Sequence, residues 1–317
     1  MLRYALKRIL LAIPVALAVS LVCFTLIHVA PGDPVSAFLP PEASQQTIDE
    51  VKARFGLDQP LPIQYGKWLR EVAAGNLGKS IATGRPVATE VRNALSNTFL
   101  VALPAAVVGV CLGIVLGLLS GYWRGGVIDK TATFLSIVGV SVPHYWLAMV
   151  LVVLFSVHLN LLPAFGAGPA ESDVEIWRWD RLRYLILPAL AMSVVPLGII
   201  ARTVKAVVAD TLSQEFVQAL RAKGLTEVEV FRHVVKNSAP TSLAVIGVQI
   251  GYLLAGSILI ETVFAWPGTG FLLNGAIFQR DIPLLQGIVL VLAMVFVLLN
   301  TVVDILQAVI DPRISRS

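Results

Sequence analysis

Residues 202–240 form one polar, basic stretch between two apolar runs, with a core that reads EFVQALRAKGLTEVEVFRHVVKNSAP. The residue types predict two short helices around a glycine. Ser213 can cap the first, with Glu215 in its first turn, where a carboxylate complements the helix dipole. Gly224 suits the left-handed position just past a helix end, and Leu220 and Leu225 stand where the apolar contact of a Schellman ending forms. Thr226 and Glu229 make a T-x-x-E capping box for the second helix. A stiff helical hairpin held at a membrane surface points to recognition of another protein. It also suits a capped surface hairpin that binds nothing.

Catalytic chemistry finds no matching set of residues. Residues 9–27, 97–121, 185–201, 242–260 and 285–303 contain no Asp, Glu, Lys, Arg or His. A charge at mid-bilayer costs roughly 2.5–3.5 kcal/mol on insertion scales, so a chain keeps one there mainly for function. Coupled proton transport or intramembrane proteolysis would need such groups. The segment Gly75-Asn76-Leu77-Gly78-Lys79-Ser80 imitates the end of a phosphate loop, but position 73 is Ala73 where that pattern needs glycine, so it reads as a turn between helices. Cys23 and Cys111 lie in apolar runs without metal-ligand spacing and read as packed thiols. His28 reads as interfacial. His144 beside Pro143 reads as a packed or interhelically bonded side chain; with Tyr145 and Asn300 it also belongs to the polar candidates for lining a pathway. No metal site is expected.

The positioning elements follow from composition. Hydrophobic residues are 56% of the 317 and charged residues 14%, with mean hydropathy +0.80. Soluble domains are about 25% charged, so this is a membrane protein, all-α and polytopic. A net charge of +4, spread along the chain, gives no case for nucleic acid. A bilayer core needs roughly 20 apolar helical residues. Six spans are predicted near 9–30, 97–121, 132–157, 185–202, 242–262 and 285–310, the fourth short and interrupted by Pro188 and Pro196. The first resembles a signal peptide, with Ala16-Leu17-Ala18 imitating a cleavage site, but its apolar run continues to Ala30 and predicts a retained span. In the second, Gly109, Gly113, Gly117 and Gly121 line one helix face and admit a close neighbour; Gly247 and Gly251 repeat the pattern in the fifth.

Basic residues set the orientation. With the N-terminus in the cytoplasm, the cytoplasmic segments hold thirteen Lys and Arg and the short outer loops hold four, Arg178, Arg181, Arg183 and Arg280. Both termini and the 202–240 loop are therefore expected inside. The long outer segment, 31–96, reads as a small helical subdomain. Thr47 and Glu50 would cap a helix ending near Gly56, and Pro62 would open a second that runs to about Gly75.

Gln218-Ala219-Leu220-Arg221-Ala222-Lys223-Gly224, followed by His233, Asn237 and Pro240, resembles the cytoplasmic EAA loop of ABC importer permeases, above all the dipeptide/oligopeptide/nickel branch, whose loop often reads A-R-A-K-G-L. The first Glu of the general motif is Gln218 here and its second Ala is Leu220. Further matches run along the whole chain. They are Ala30 to Pro34, Phe55 to Pro60, the E-x-V-F-x-W-P-G-x-G segment from Glu261 to Gly270, and the pattern Asn300, Asp304, Asp311, Pro312, Arg313.

The resemblance implies the type I ABC importer permease fold, with residues 1–317 forming a single transmembrane domain of a bacterial inner membrane. It implies half of a pathway for di- or oligopeptides or related small solutes. The partners would be a homologous second permease in a heterodimer, two cytoplasmic ATPases that hold ATP and Mg, and an extracytoplasmic binding protein. This chain would have no ATPase site of its own. The coupling residues would be Glu215, Gln218, Ala219, Arg221, Ala222, Lys223 and Gly224. Gly224 would allow the tight turn, Ala219 and Ala222 a close approach to the ATPase, and Arg221 and Lys223 polar contacts at the rim. The alternative function is a secondary transporter or channel without ATPase partners; the lack of intramembrane ionisable groups argues against coupled transport of that kind.

Overall fold

The computed structural model describes residues 2–29, 58–168 and 179–310 together with positions 44 and 46. The expected capping box at Thr47 and Glu50, the segment from Ala30 to Pro34 and the C-terminal Asp311, Pro312 and Arg313 lie outside the described residues, as do the side chains of Arg3 and His28. Helix α1 is Leu2–Val29, α2 is Leu61–Ala73 and α3 is Val87–Tyr122. Helix α4 is Val127–Ser141, and α5, His144–Leu151, continues as a π-helical segment, Val152–His158. Helix α6 is Trp179–Ser213, α7 is Glu215–Ala222 and α8 is Glu227–Val263. Helix α9 is Thr269–Gln279 and α10 is Ile282–Ile310. Among the described residues the β-pairing amounts to one isolated bridge, between Lys79 and Pro86.

Five of these helices, α1, α3, α6, α8 and α10, are long and apolar enough to cross a membrane. The predicted third span is instead a bent pair, α4 with α5 and its π-helical extension, meeting at 101°. Pro143 causes the break. It has no N–H to donate, and it holds Val142 in extended backbone (φ −81°, ψ 124°), so α4 stops at Ser141 and a new helix starts at His144. The fourth span is longer than its apolar run suggests. Helix α6 runs on past Pro188 and Pro196, both inside it, and carries Arg202 and Lys205 on its last turns. In membranes such prolines are tolerated where neighbouring helices satisfy the freed carbonyls. At the start of the second span, residues 87–96 belong to α3 and not to the outer loop. The helix opened by Pro62 is α2, with proline in its first turn.

The tightest seam joins α3 to α6. Gly109, Gly113, Gly117 and Gly121 are all buried, and their missing side chains are replaced by Ser193, Pro196, Ile200, Ala201, Val204 and Val208 of α6. The opposite face of α3 turns Leu103, Val107, Leu112 and Val115 outward, as lipid contact requires. Gly247 and Gly251 admit Val303 and Phe296 of α10 in the same way. On the far side of α6, Gly198 approaches Ser136 of α4, and Gly139 of α4 approaches Val194.

Three apolar clusters fill the bundle. One joins Val101, Leu187, Met192, Leu253, Ile260, Phe264 and Trp266 toward one end. A second joins Ile200, Val204, Val208, Val217, Val230, Val234 and Ile246 toward the other. A third packs Val87 and Val91 against Ala276, Leu284 and Ile288.

Candidate functional site

At one end of the bundle, α6 passes through Gln214 into α7, which crosses to α8 in a single turn. The 202–240 stretch is therefore not a loop with two short helices. Residues 202–213 finish α6, residues 227–240 begin the 37-residue α8, and only α7 and its flanking turns lie between them. Ser213 does not cap α7. It is the last residue of α6, and its hydroxyl donates back to Asp210 O at 2.7 Å, while Gln214 takes the cap position without a side-chain bond.

The turn after α7 follows from local chemistry. Leu225 N donates to Leu220 O at 3.3 Å and Gly224 N to Arg221 O at 2.9 Å, the two bonds of a Schellman ending, with Gly224 at φ +81°. A Cβ there would be strained by backbone conformation alone, since no neighbouring atom lies within 4 Å. Leu220 and Leu225 both pack on the second apolar cluster. Thr226 and Glu229 complete the capping box, with Thr226 N to Glu229 Oε2 at 2.8 Å and Glu229 N to Thr226 Oγ1 at 3.4 Å.

Helix α7 is two-faced. Val217 is fully buried and Phe216 and Leu220 pack beside it on the ends of α6 and α8. Glu215, Gln218, Ala219 and Ala222 are exposed, at the spacing of one helix face, and Lys223 is exposed at the C-cap. The face is flat and small-chained in its middle, with a carboxylate and an amide at its N-terminal side. Arg221 turns elsewhere. Its Nε donates to Glu227 Oε1 at 2.9 Å and its Nη2 to Glu227 Oε2 at 3.1 Å. That bond raises the guanidinium above its already high value, and it holds the Glu227 carboxyl, on the polar first turn of α8 well before residues 242–262, below the usual carboxylate range. Glu227 Oε2 also accepts from the Tyr122 hydroxyl at the end of α3. Nearby, Lys205 pairs with Asp129 and donates to Thr133 Oγ1 at 2.8 Å, fastening α6 to the start of α4.

The pathway candidates do not come together. His144 opens α5, and its Nε2 is buried without a hydrogen-bond partner; Tyr145 beside it is exposed. Asn300 donates to Phe296 O within α10. It lines a groove of about 690 Å³ among α1, α8 and α10, with Arg8, Tyr252 and Asp304, and neither His144 nor Tyr145 lines it. Arg8 and Asp304 form an ion pair at 2.9 Å that joins α1 to α10.

Sequence reasoning missed the opposite end. Glu261, which follows the charge-free run 242–260, is only 1% exposed. It accepts from Thr98 Oγ1 at 2.8 Å, Gly270 N at 2.6 Å and Phe271 N at 3.3 Å, and so caps α9 from beneath. Thr98 Oγ1 in turn accepts from Thr269 N at 2.8 Å. Trp266 Nε1 donates to Asn97 O and Asn97 Nδ2 to Pro267 O, each at 2.9 Å. Asp281 is equally buried and receives Ser80 Oγ, Ala82 N at 3.1 Å and Leu284 N at 3.1 Å. Segment 75–80 is thus a turn between α2 and α3, tied by Ser80 to the start of α10. The available signal was a carboxylate followed by Pro-Gly-Thr-Gly, the chemistry of a capped turn.

A bundle of membrane-length helices with this seam is that of a polytopic membrane protein, and the comparisons give its family. Residues 113–316 match the family described as binding-protein-dependent transport system inner membrane component, and residues 1–101 match its N-terminal companion. The chain is 36% identical over 331 residues to the dipeptide transport system permease protein of Alkalihalophilus pseudofirmus, covering 99% of each. It is 36% identical over 315 residues to the glutathione transport system permease protein of Salmonella paratyphi A, again covering 99% of each. A putative peptide transport system permease protein of Brucella abortus is 37% identical over 310 residues, with 98% of each covered. Among solved structures, a chain of the MetNI methionine ABC transporter in an inward-facing conformation matches with TM-score 0.55 and 16% identity, covering 69% of this chain and 95% of that one, a likeness of fold. The chain belongs to the family of inner-membrane components of binding-protein-dependent transport systems: it is a permease subunit of an ABC importer in a bacterial inner membrane.

Proposed function

We propose that this permease forms half of a pathway for small peptides, and that α7 is the surface through which cytoplasmic ATPases drive it. The single observation that carries the coupling role is the two-faced α7. Its buried face anchors it to α6 and α8, and its outer face, Glu215, Gln218, Ala219 and Ala222, is left free and flat. A short helix fixed at both ends to spans passes a push on to them as a rigid-body shift. The peptide substrate rests on the names of the relatives, which are dipeptide, glutathione and peptide permeases.

In this reading all of 1–317 is one permease domain with six spans, the bent pair counting as one. Both termini and α7 face the cytoplasm, and the end that holds Glu261 and Asp281 faces outward. A second, homologous permease completes the pathway, a binding protein delivers the solute, and two ATPases hold ATP and Mg, so this chain hydrolyses nothing itself. Lys223 and Gln218 contact the ATPase at the rim, and Ala219 and Ala222 at the centre of the contact. His144, Tyr145 and Asn300 remain proposed pathway residues.

The test is Ala219→Trp in the full complex with binding protein, reconstituted in liposomes. Peptide uptake and peptide-stimulated ATP hydrolysis should fall together, and co-purification of the ATPases should weaken, at unchanged permease level. Full coupled uptake by this variant removes the docking assignment.

A further inference from the structure

Resting on the reading of α7 as the docking helix, we infer that Arg221 is not one of its contacts with the ATPase but part of an internal brace, Arg221–Glu227–Tyr122, that transmits the movement of α7 to α3. The geometry is a fork on a fork: two parallel N–H bonds from one guanidinium to both oxygens of Glu227, at 2.9 and 3.1 Å. The same carboxylate takes the Tyr122 hydroxyl, whose oxygen also stands 3.2 Å from the Glu227 carbonyl. The Tyr122 ring is held edge-on by Phe231 of α8 at 5.1 Å and by Trp123 at 5.2 Å, so its hydroxyl has a fixed aim. Three chain segments meet at one carboxylate: the last turn of α7, the first of α8 and the end of α3.

Stability does not require this cluster. The turn is already fixed by the Schellman bonds, the capping box and the buried Val217, Val230 and Val234. The Arg221 and Glu227 side chains are 47% and 62% exposed, where ion pairs contribute little. What the brace adds is a connection. Without it α7 is joined through the chain to α6 and α8 alone. With it α7 also holds α3, which lies along α6 on the glycine seam, and the four helices close into one body.

The experiment uses the reconstituted complex and four variants: Arg221→Glu, Glu227→Arg, the two combined, and Tyr122→Phe. Uptake per ATP hydrolysed should fall by roughly 5-fold or more in each single charge reversal, within the usual range of coupling between sites, while the ATPases stay bound. The combined reversal should restore it to within about twofold, because the pair is remade with its ends exchanged. Tyr122→Phe keeps the ring contacts and removes the hydroxyl bond that joins α3 to Glu227, and should also lower uptake per ATP with melting temperature unchanged. The inference is overturned if the combined variant is no better than Arg221→Glu, if either reversal strips the ATPases from the complex, or if Tyr122→Phe transports like the unaltered protein. Loss of the ATPases on Arg221→Glu would favour direct contact and leave docking through α7 standing; indifference of Ala219→Trp would instead remove the docking reading itself.

Discussion

Gly117→Val tests the α3–α6 seam most directly. A Cβ at Gly117 would lie 2.6 Å from Val204 Cβ, 2.8 Å from Ala201 O and 2.9 Å from Val204 Cγ1. Carbon atoms rest about 3.5–4.0 Å apart, so the helices must part by roughly 1 Å before the two γ-methyls are even placed. One of the three obstacles is a backbone oxygen, which no rotamer change can move. Overpacking costs about 1–3 kcal/mol, and a β-branched residue against a backbone wall belongs at the upper end. Leaving glycine in a helix returns only a few tenths of a kcal/mol on replacement by valine. The net loss is then ~2–3 kcal/mol, a fall in melting temperature of roughly 3–5 °C for a chain of this length at about 2 cal/mol/K of unfolding entropy per residue. Gly66→Val is the control, since a Cβ there meets nothing within 4 Å. Thermal melting of the purified complex, followed by tryptophan fluorescence, reads both. Pairing Gly117→Val with Val204→Ala should recover part of the loss, because Val204 supplies two of the three short contacts. If Gly117→Val melts within about 1 °C of the unaltered protein, the seam is not close-packed at this position and the argument fails.

At the other end, Glu261→Leu leaves the amides of Gly270 and Phe271 and the Thr98 hydroxyl without their buried acceptor, at about 1–3 kcal/mol for each unsatisfied group. The level of folded permease should drop sharply for Leu and less for Gln, which keeps an acceptor oxygen; equal levels for both would refute the capping role. For orientation, reporter fusions should place residue 225 in the cytoplasm and residue 60 outside, and both on one side would sink the proposed topology.

The readable parts of this chain were those decided by a few neighbouring residues. Gly224 with Leu220 and Leu225, the Thr226–Glu229 box, the proline-opened α2 and the four-residue glycine spacing of α3 each carry their geometry within a turn or two of helix. Ser213 was misread for a physical reason. A serine before a glutamate suits a helix start, but its hydroxyl can equally bond the carbonyl three residues back, and the continuing packing of α6 decided between the two. The bend in the third span was not legible because hydropathy counts apolar residues and is blind to direction; Pro143 turns the chain by 101° without changing its polarity. The charged anchors were hidden by distance along the chain. Tyr122 and Glu227 are 105 residues apart, and Thr98 and Glu261 are 163 apart. No local pattern joins them. Arg221 shows both sides of this. Its place on α7 was legible, while its partner, six residues on across a turn, was not, and the partner decides where its guanidinium points.

The distribution of polar groups explains how such a chain can move without titrating. Charge is absent from the middle of the described spans, where solvating it is costly, and concentrated at helix ends, where backbone dipoles are available as partners. Glu261 sits at the N-terminus of α9, Asp281 at that of α10 and Glu227 at that of α8. Glu261 thereby meets the N–H groups of Gly270 and Phe271 and also Thr98 of α3, Asp281 meets Leu284 N and the 80–82 turn, and Glu227 joins Arg221 of α7 to Tyr122 of α3. Between these directional ties lies the α3–α6 seam, held by close contact of small residues along its length, which keeps the two helices together. In the coupling proposed here, directional ties at the ends and a close-packed seam between them are what a relay needs. A push on α7 enters through fixed hydrogen bonds and leaves as the shift of whole helices. In that proposal the chain needs no ionisable group in the bilayer to respond, because the energy is released by ATPases outside it.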